Sequence, residues 1–296
     1  MVNKILGKIQ YYIEIISLNF LRFGQEKIGE NNQSASSKLN DYILSVRKFT
    51  RSDRAFKKFK MSKIYQVVLE HVSYELANNY LNVINNNYPN YLNKDKLKLV
   101  KENDRIGKPF LFKLKYNSIR GEKSQINELE ISGSSIRYLF VLCEIERIFK
   151  KKNYKLIAEI GGGYGGQALI FDKFFQFDQY MLFDLPSVNN FIKKYLNSFY
   201  FNNSFNALDI NQQNYNTYFD LVISNYSFSE LPRNLQEVYL KKIILKSNSG
   251  YMTMNTGNDV TADEKTNKYS ASELLKIIPN SQIIEEVPLS SKDNYV

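Results

Sequence analysis

Five of the six residues in Gly161-Gly162-Gly163-Tyr164-Gly165-Gly166 are glycine, and they directly follow the apolar run Leu156-Ile157-Ala158-Glu159-Ile160. A segment with helical spacing, 167–175, comes next. Such a turn brings backbone N–H groups and a helix N-terminus up to a ligand with no Cβ in the way. A plain turn has no need of so much lost backbone entropy, so a ligand is expected at the loop. Two patterns fit the same residues. Gly161-x-Gly163-x-x-Gly166, with Asp184 18 residues beyond it, matches a dinucleotide site. Glu159-x-Gly161-x-Gly163-x-Gly165 matches the acid-x-Gly-x-Gly-x-Gly form used for S-adenosylmethionine.

Electrostatics separates the two. In a dinucleotide site the helix N-terminus faces a pyrophosphate, and a carboxylate at the strand end opposes it. S-adenosylmethionine presents an ammonium and a sulfonium there instead, so Glu159 suits the methyl donor better. Asp184 is then expected on the ribose diol, and Asp209, beside Ile210, against the adenine amino group. Gly162, Tyr164, Gln167 and Leu185 belong to the same expected donor set, with Ser224, Asn225 and Tyr226 at the end of a later strand and Arg137 on the helix feeding the first one. The chain has no Gly-x-x-x-x-Gly-Lys-Ser/Thr, which disfavours a nucleotide triphosphatase of that class.

These residues need elements to hold them. From 156 onward, apolar runs at 156–160, 180–183, 219–225, 250–255 and 282–287 alternate with helical segments at 167–175, 188–196, 235–245 and 270–278. Alternation of this kind calls for parallel strands, right-handed crossovers and helices on both sheet faces, a doubly wound Rossmann-like α/β domain over 151–296. The first 150 residues read as a mostly α-helical region. There, 1–23 reads as an amphipathic helix, with membrane attachment through Lys4, Lys8 and Arg22 as a second reading. The polar run 31–37 reads as a loop, and Met61, Tyr65, Leu69, Val72, Leu76 and Tyr80 form a stripe on one helix of about 20 residues. A short strand over 108–116 with a turn at Gly121, and a helix over 134–149, complete this half.

Composition narrows the classes. The chain has 296 residues, 43% hydrophobic and 24% charged, which excludes wholesale disorder. A single cysteine, Cys143, cannot form an internal disulfide, which fits a reducing, cytoplasmic setting. The only histidine, His71, rules out the usual His/Cys zinc site, and no carboxylates pair at metal-binding spacing, so no metal is expected. No run reaches the ~20 apolar residues of a membrane-spanning helix. Net charge is +10. All of it is N-terminal, since residues 1–150 carry a net +11 and residues 151–296 a net −1. The basic half is expected to face an anionic partner.

Three blocks carry a family resemblance: Glu159 through Gly166, then Phe183-Asp184-Leu185-Pro186, then Ile223-Ser224-Asn225-Tyr226-Ser227-Phe228-Ser229-Glu230-Leu231. With Ser134-Ser135-Ile136-Arg137-Tyr138-Leu139 and Asn103-Asp104-Arg105-Ile106-Gly107-Lys108-Pro109 upstream, the chain from about residue 103 onward resembles the bacterial sugar O-methyltransferase family of class I S-adenosylmethionine-dependent enzymes. The resemblance implies methyl transfer to a sugar hydroxyl in building a surface polysaccharide such as capsule or lipopolysaccharide. The family pattern continues a last strand past Asn294-Tyr295-Val296, so either a short final sheet edge or a shortened chain is expected.

Methyl transfer is an in-line displacement at an already activated carbon, so the protein must align the acceptor oxygen and remove its proton. Glu230, just past the strand expected at 219–225, is the first candidate base. His71 with Glu75 one helical turn on is the second, and Asp104 the third. The +11 half fits a phosphorylated or nucleotide-linked sugar acceptor better than nucleic acid, because Lys57-Lys58-x-Lys60 is its only dense basic cluster. A nucleic-acid methyltransferase and an NAD-dependent oxidoreductase are the alternatives.

Overall fold

The computed structural model describes residues 31–70, 72–120, 123–213, 216–255, 268–290 and 294–296. The helix expected over 1–23, the turn at Gly121 and the candidate His71 lie outside them. The helical half contains α1 (Asn31–Arg51), α2 (Tyr74–Asn87) and α3 (Lys94–Lys101). An antiparallel hairpin follows, β1 (Phe112–Arg120) against β2 (Lys123–Ile131), and then α4 (Gly133–Phe149). The α/β half runs β3 (Asn153–Ile160), α5 (Gly166–Phe174), β4 (Gln176–Phe183), α6 (Pro186–Leu196), β5 (Ser204–Leu208), β6 (Leu221–Asn225), α7 (Arg233–Lys242), β7 (Gly250–Thr253) and α8 (Ala271–Ile277).

The five strands of this half are parallel, in the order β5-β4-β3-β6-β7. The chain steps outward through β4 and β5, then returns to the other side of β3. That reversal between β3 and β6 opens a crevice at the strands' carboxyl ends, where open α/β sheets bind ligands. Successive residues of β3 serve opposite faces: Ile157 joins the core shared with α4, α5 and α6, whereas Ala158 and Ile160 join the core under α7 and α8. Burial on both faces explains why β3 reads as a continuous apolar run rather than an alternating one. The larger core also takes in Val46, Phe59 and Tyr80 from the helical half, packed with Leu169 and Phe191. Phe59 meets Phe191 edge-on at 4.9 Å.

Several sequence expectations are corrected here. The run 31–37 is helical, not a loop: it has no Gly or Pro, and it leads into Tyr42, Ile43, Val46 and Phe49, whose burial supports α1. The 61–80 stripe is not one helix. Lys63–Tyr65 makes one α-turn, Gln66–Glu70 a π-turn, and α2 starts afresh after Ser73, whose Oγ accepts from Leu76 N at 3.2 Å. A serine that caps offers the backbone a partner other than helix continuation. Met61 accordingly remains about half exposed. The strand expected at 108–116 is displaced to Phe112–Arg120, because Gly107 and Lys108 adopt φ of 95° and 54°. No strand forms over 282–287. Tyr295 instead bridges both Met254 and Glu285, so β7 ends in isolated bridges to the chain's last residues.

Candidate active site

A cavity of about 610 Å³ lies over the carboxyl ends of β3, β4 and β6. Its floor is the glycine loop. Gly161 sits at φ 79°, and a Cβ there would fall 2.1 Å from Ser227 Oγ, so only glycine lets the loop pass so close to the turn after β6. Gly163 at φ 58° donates its N–H to Asp184 Oδ2 at 3.0 Å, which binds the loop to the end of β4. Leu185 N donates to Asp184 Oδ1 at 2.8 Å, and Pro186 opens α6 with the fixed φ that suits a first helical residue.

Glu159 reaches the cavity from β3 and is buried, its carboxylate accepting from Tyr180 Oη at 3.0 Å. Burial pushes its pKa up to about 8, against the Tyr180 hydrogen bond and the charge of Arg137. Burial also raises Asp184 to about 6, opposed by the N–H groups of Leu185 and Gly163. Arg137 enters the same cavity from α4, buried, with Nε lacking any hydrogen-bond partner. Asn225 Oδ1, at the end of β6, is likewise buried and unpartnered, while its Nδ2 donates to Gln167 Oε1 at 3.3 Å. Among the described residues no ion pair joins Arg137 to Glu159 or to any other carboxylate. A carboxyl and a guanidinium thus face one cavity with no ion pair between them.

Of the remaining expected residues, Gly161, Gly162, Gly163, Leu185, Tyr226 and Glu230 also line this cavity. Glu230 lies at the exposed rim, accepting from Asn255 Nδ2 at 3.1 Å; desolvation of its carboxylate raises its pKa against the charge of Lys268. Others stand elsewhere. Tyr164 turns away from the cavity into the helical half, fully buried, where its hydroxyl accepts from Asn103 Nδ2 at 3.0 Å. Gly165 packs on Leu196, and Gln167 acts behind Asn225, donating to Tyr138 O. Ser224 Oγ accepts from Phe228 N at 3.0 Å within the core. Asp209 caps the short turn Ile210–Gln212, and Ile210 is core, so neither lines the cavity. Asp104 is structural in its contacts: it accepts from Ser132 N, Ser132 Oγ and Ser135 Oγ at 2.5–3.0 Å, at the N-terminus of α4. Sequence reasoning missed Tyr42 and Leu69 from the helical half and Ser290 from the C-terminal segment as lining residues. Leu69 belongs to the 61–80 stripe, but no spacing places any of the three at the cavity; tertiary packing brings them over the loop.

No protein-family model matches the chain, and no curated protein matches it. Solved structures align over about half of the chain. A candidate sarcosine dimethylglycine methyltransferase from Galdieria sulphuraria is 15% identical over 51% of this chain and 62% of its own, with a TM-score of 0.41. The N-methyltransferase NodS from Bradyrhizobium japonicum is 15% identical over 54% of this chain and 90% of its own, at 0.39. A S-adenosylmethionine-dependent methyltransferase from Clostridium acetobutylicum is 14% identical over 40% of this chain and 50% of its own, at 0.34. The chain thus spans less than two thirds of the Galdieria and Clostridium proteins. Strand order and site geometry stand independently of these neighbours.

Proposed function

We propose that the chain is an S-adenosylmethionine-dependent O-methyltransferase acting on a sugar hydroxyl in surface-polysaccharide synthesis. One observation carries the donor: among the described residues Glu159 and Arg137, a buried carboxyl and a buried guanidinium, face one cavity with no ion pair between them. An amino-acid end, with its ammonium and carboxylate, complements that pair, and its ammonium also offers a proton to the orphaned Asn225 Oδ1. Asp184 at the end of β4 suits a ribose diol. A dinucleotide would set its pyrophosphate near Glu159, which disfavours an oxidoreductase.

When bound, S-adenosylmethionine supplies a methyl carbon activated by its sulfonium. The chain's own residues hold the donor's two charges, and Tyr42 and Leu69 cover the loop from the helical side and exclude water. Glu230 stands at the rim of this donor cavity. The resemblance of the three sequence blocks supports a sugar acceptor, and the +11 half supports a phosphorylated or nucleotide-linked one. Lone Cys143, buried and with its thiol pKa raised by burial, fits a cytoplasmic enzyme.

Calorimetry with S-adenosylhomocysteine and with NADH, in parallel, tests the donor. Binding of the first alone is expected, and binding of NADH alone overturns the reading. Transfer of labelled methyl across a panel of nucleotide-linked and free sugars then tests the acceptor; transfer to none of them removes the sugar.

A further inference from the structure

A second cavity, of about 690 Å³, abuts the first on the β6 and β7 side of the sheet. Among the described residues only Tyr80, Arg137, Asn225 and Tyr226 line both. If the donor occupies the first cavity, a methyl group leaving it toward the second must pass this wall. Of the four, Tyr226 alone has its hydroxyl bonded to a carboxylate: it donates to Glu286 Oε1. Glu286 is 3% exposed and is held by Ser290, whose N and Oγ both donate to Oε2, at 3.0 and 2.8 Å. Tyr226 itself sits at φ 66°, a left-handed conformation unusual for a side chain of its size, and its N–H donates to Thr253 O at 2.9 Å. A strained residue at such a wall points to function.

We propose that the second cavity is the acceptor chamber, that it takes an uncharged, hydroxyl-bearing ring, and that Tyr226, positioned by Glu286, receives the acceptor's proton. The inference rests on the donor reading above. With its own proton committed to Glu286 and Ser290 Oγ 2.7 Å away, the Tyr226 oxygen keeps one lone pair to accept from an incoming hydroxyl. As the acceptor oxygen bonds to the methyl carbon, the carbon–sulfur bond breaks with its electron pair left on sulfur. The acceptor's proton goes to Tyr226 Oη while the Tyr226 proton passes to Glu286. The sulfonium's positive charge and the negative charge of Glu286 disappear together, so the charges balance.

Charge inside the chamber selects the acceptor. Arg147 is engaged by Glu144 at 2.7 Å, and Arg137 is assigned to the donor's carboxylate. The lining carboxylates that remain, Glu285 and Glu286, oppose an anion. Phe140, Tyr251 and Tyr80 offer flat apolar faces with polar groups between them, a lining suited to a ring with hydroxyls at its edge. A phosphate elsewhere on the acceptor must then stay outside the chamber. Glu230, by contrast, lines only the donor cavity.

The test uses the full chain and, as probe, an equal mixture of the methyl glycosides of glucose, galactose and mannose. Saturation-transfer NMR reads probe binding, calorimetry reads S-adenosylhomocysteine, and labelled donor reads turnover. Wild type is expected to bind and methylate the probe. Asn87→Trp, a rim substitution that fills the chamber, abolishes the probe signal and leaves S-adenosylhomocysteine affinity within about threefold. Tyr226→Phe keeps both binding signals and the glycoside KM but lowers kcat about a hundredfold, the scale of general base catalysis. Glu286→Gln lowers kcat about tenfold or more without moving the glycoside KM, and Glu286→Asp restores part of it, a split that a merely structural role would not produce. Wild type that binds S-adenosylhomocysteine but not the probe overturns the proposal, as does Tyr226→Phe with a wild-type kcat. Absence of S-adenosylhomocysteine binding strikes the donor reading itself, and this proposal with it.

Discussion

Donor affinity should rise steeply with pH, because the carboxylate that meets the donor's ammonium is held protonated in the free protein. Burial raises Glu159 to about 8. A carboxylate of that pKa is about 1% ionised at pH 6 and about 9% at pH 7, so a ligand that needs the anion gains about ninefold in affinity over that unit. Asp184, raised to about 6, adds up to about twofold more if its anion also binds. The expected gain in S-adenosylhomocysteine affinity between pH 6 and pH 7 is therefore about ten- to twentyfold. The gain levels off as pH passes the Glu159 value of about 8, where the anion already predominates. Calorimetry in buffers of different ionisation enthalpy should also register close to one proton released per ligand near pH 6.5. Glu159→Gln keeps an acceptor for Tyr180 but cannot ionise, so it should bind weakly with most of the slope gone. An affinity that changes less than about threefold in wild type, or the same slope in Glu159→Gln, refutes the assignment of Glu159 to a cationic ligand.

Other perturbations read the scaffold. Gly161→Ala puts a methyl 2.1 Å from Ser227 Oγ at φ 79°; it should cost about 1–3 kcal/mol in chemical denaturation and lower S-adenosylhomocysteine affinity, and an unchanged midpoint would show that the loop is free to shift. Asp104→Ala leaves the buried Ser132 and Ser135 donors without their carboxylate and should destabilise by about 2–4 kcal/mol, with ligand affinity unchanged in the folded protein; lost turnover at full stability would return Asp104 to the chemistry. Lys60 is buried, donating to Asn103 O at 2.5 Å, and burial lowers it to about 8. The folded chain then binds fewer protons than the unfolded one between pH 8 and about 10.5, so wild type should gain stability as pH rises through that window, by at most about 1.4 kcal/mol per unit. Lys60→Met should flatten that gain in denaturation midpoints, and an identical pH dependence in the two proteins would assign it to other groups.

Local chemistry along the chain was enough to determine most of the α/β half, though not β5 or the failure of 282–287 to form a strand. Strand β3, the glycine loop and α5 are legible because an apolar run buried on both sheet faces, a left-handed turn and a helix each leave a short-range mark. Asp184 could be placed for the same reason, since its register follows from β4 ending where its apolar run ends. Asp209 could not, because an aspartate before a turn reads the same whether it caps a backbone or meets a ligand. The helical half was less legible: one serine cap at Ser73 divides a stripe whose periodicity alone describes a single helix. Packing alone sets which groups meet. Arg137 and Glu159 lie 22 residues apart on a helix and a strand, and Glu286 reaches Tyr226 from the far end of the chain. Their charges and protons acquire meaning only where packing removes water and leaves them facing a common space, and no spacing along the chain encodes that.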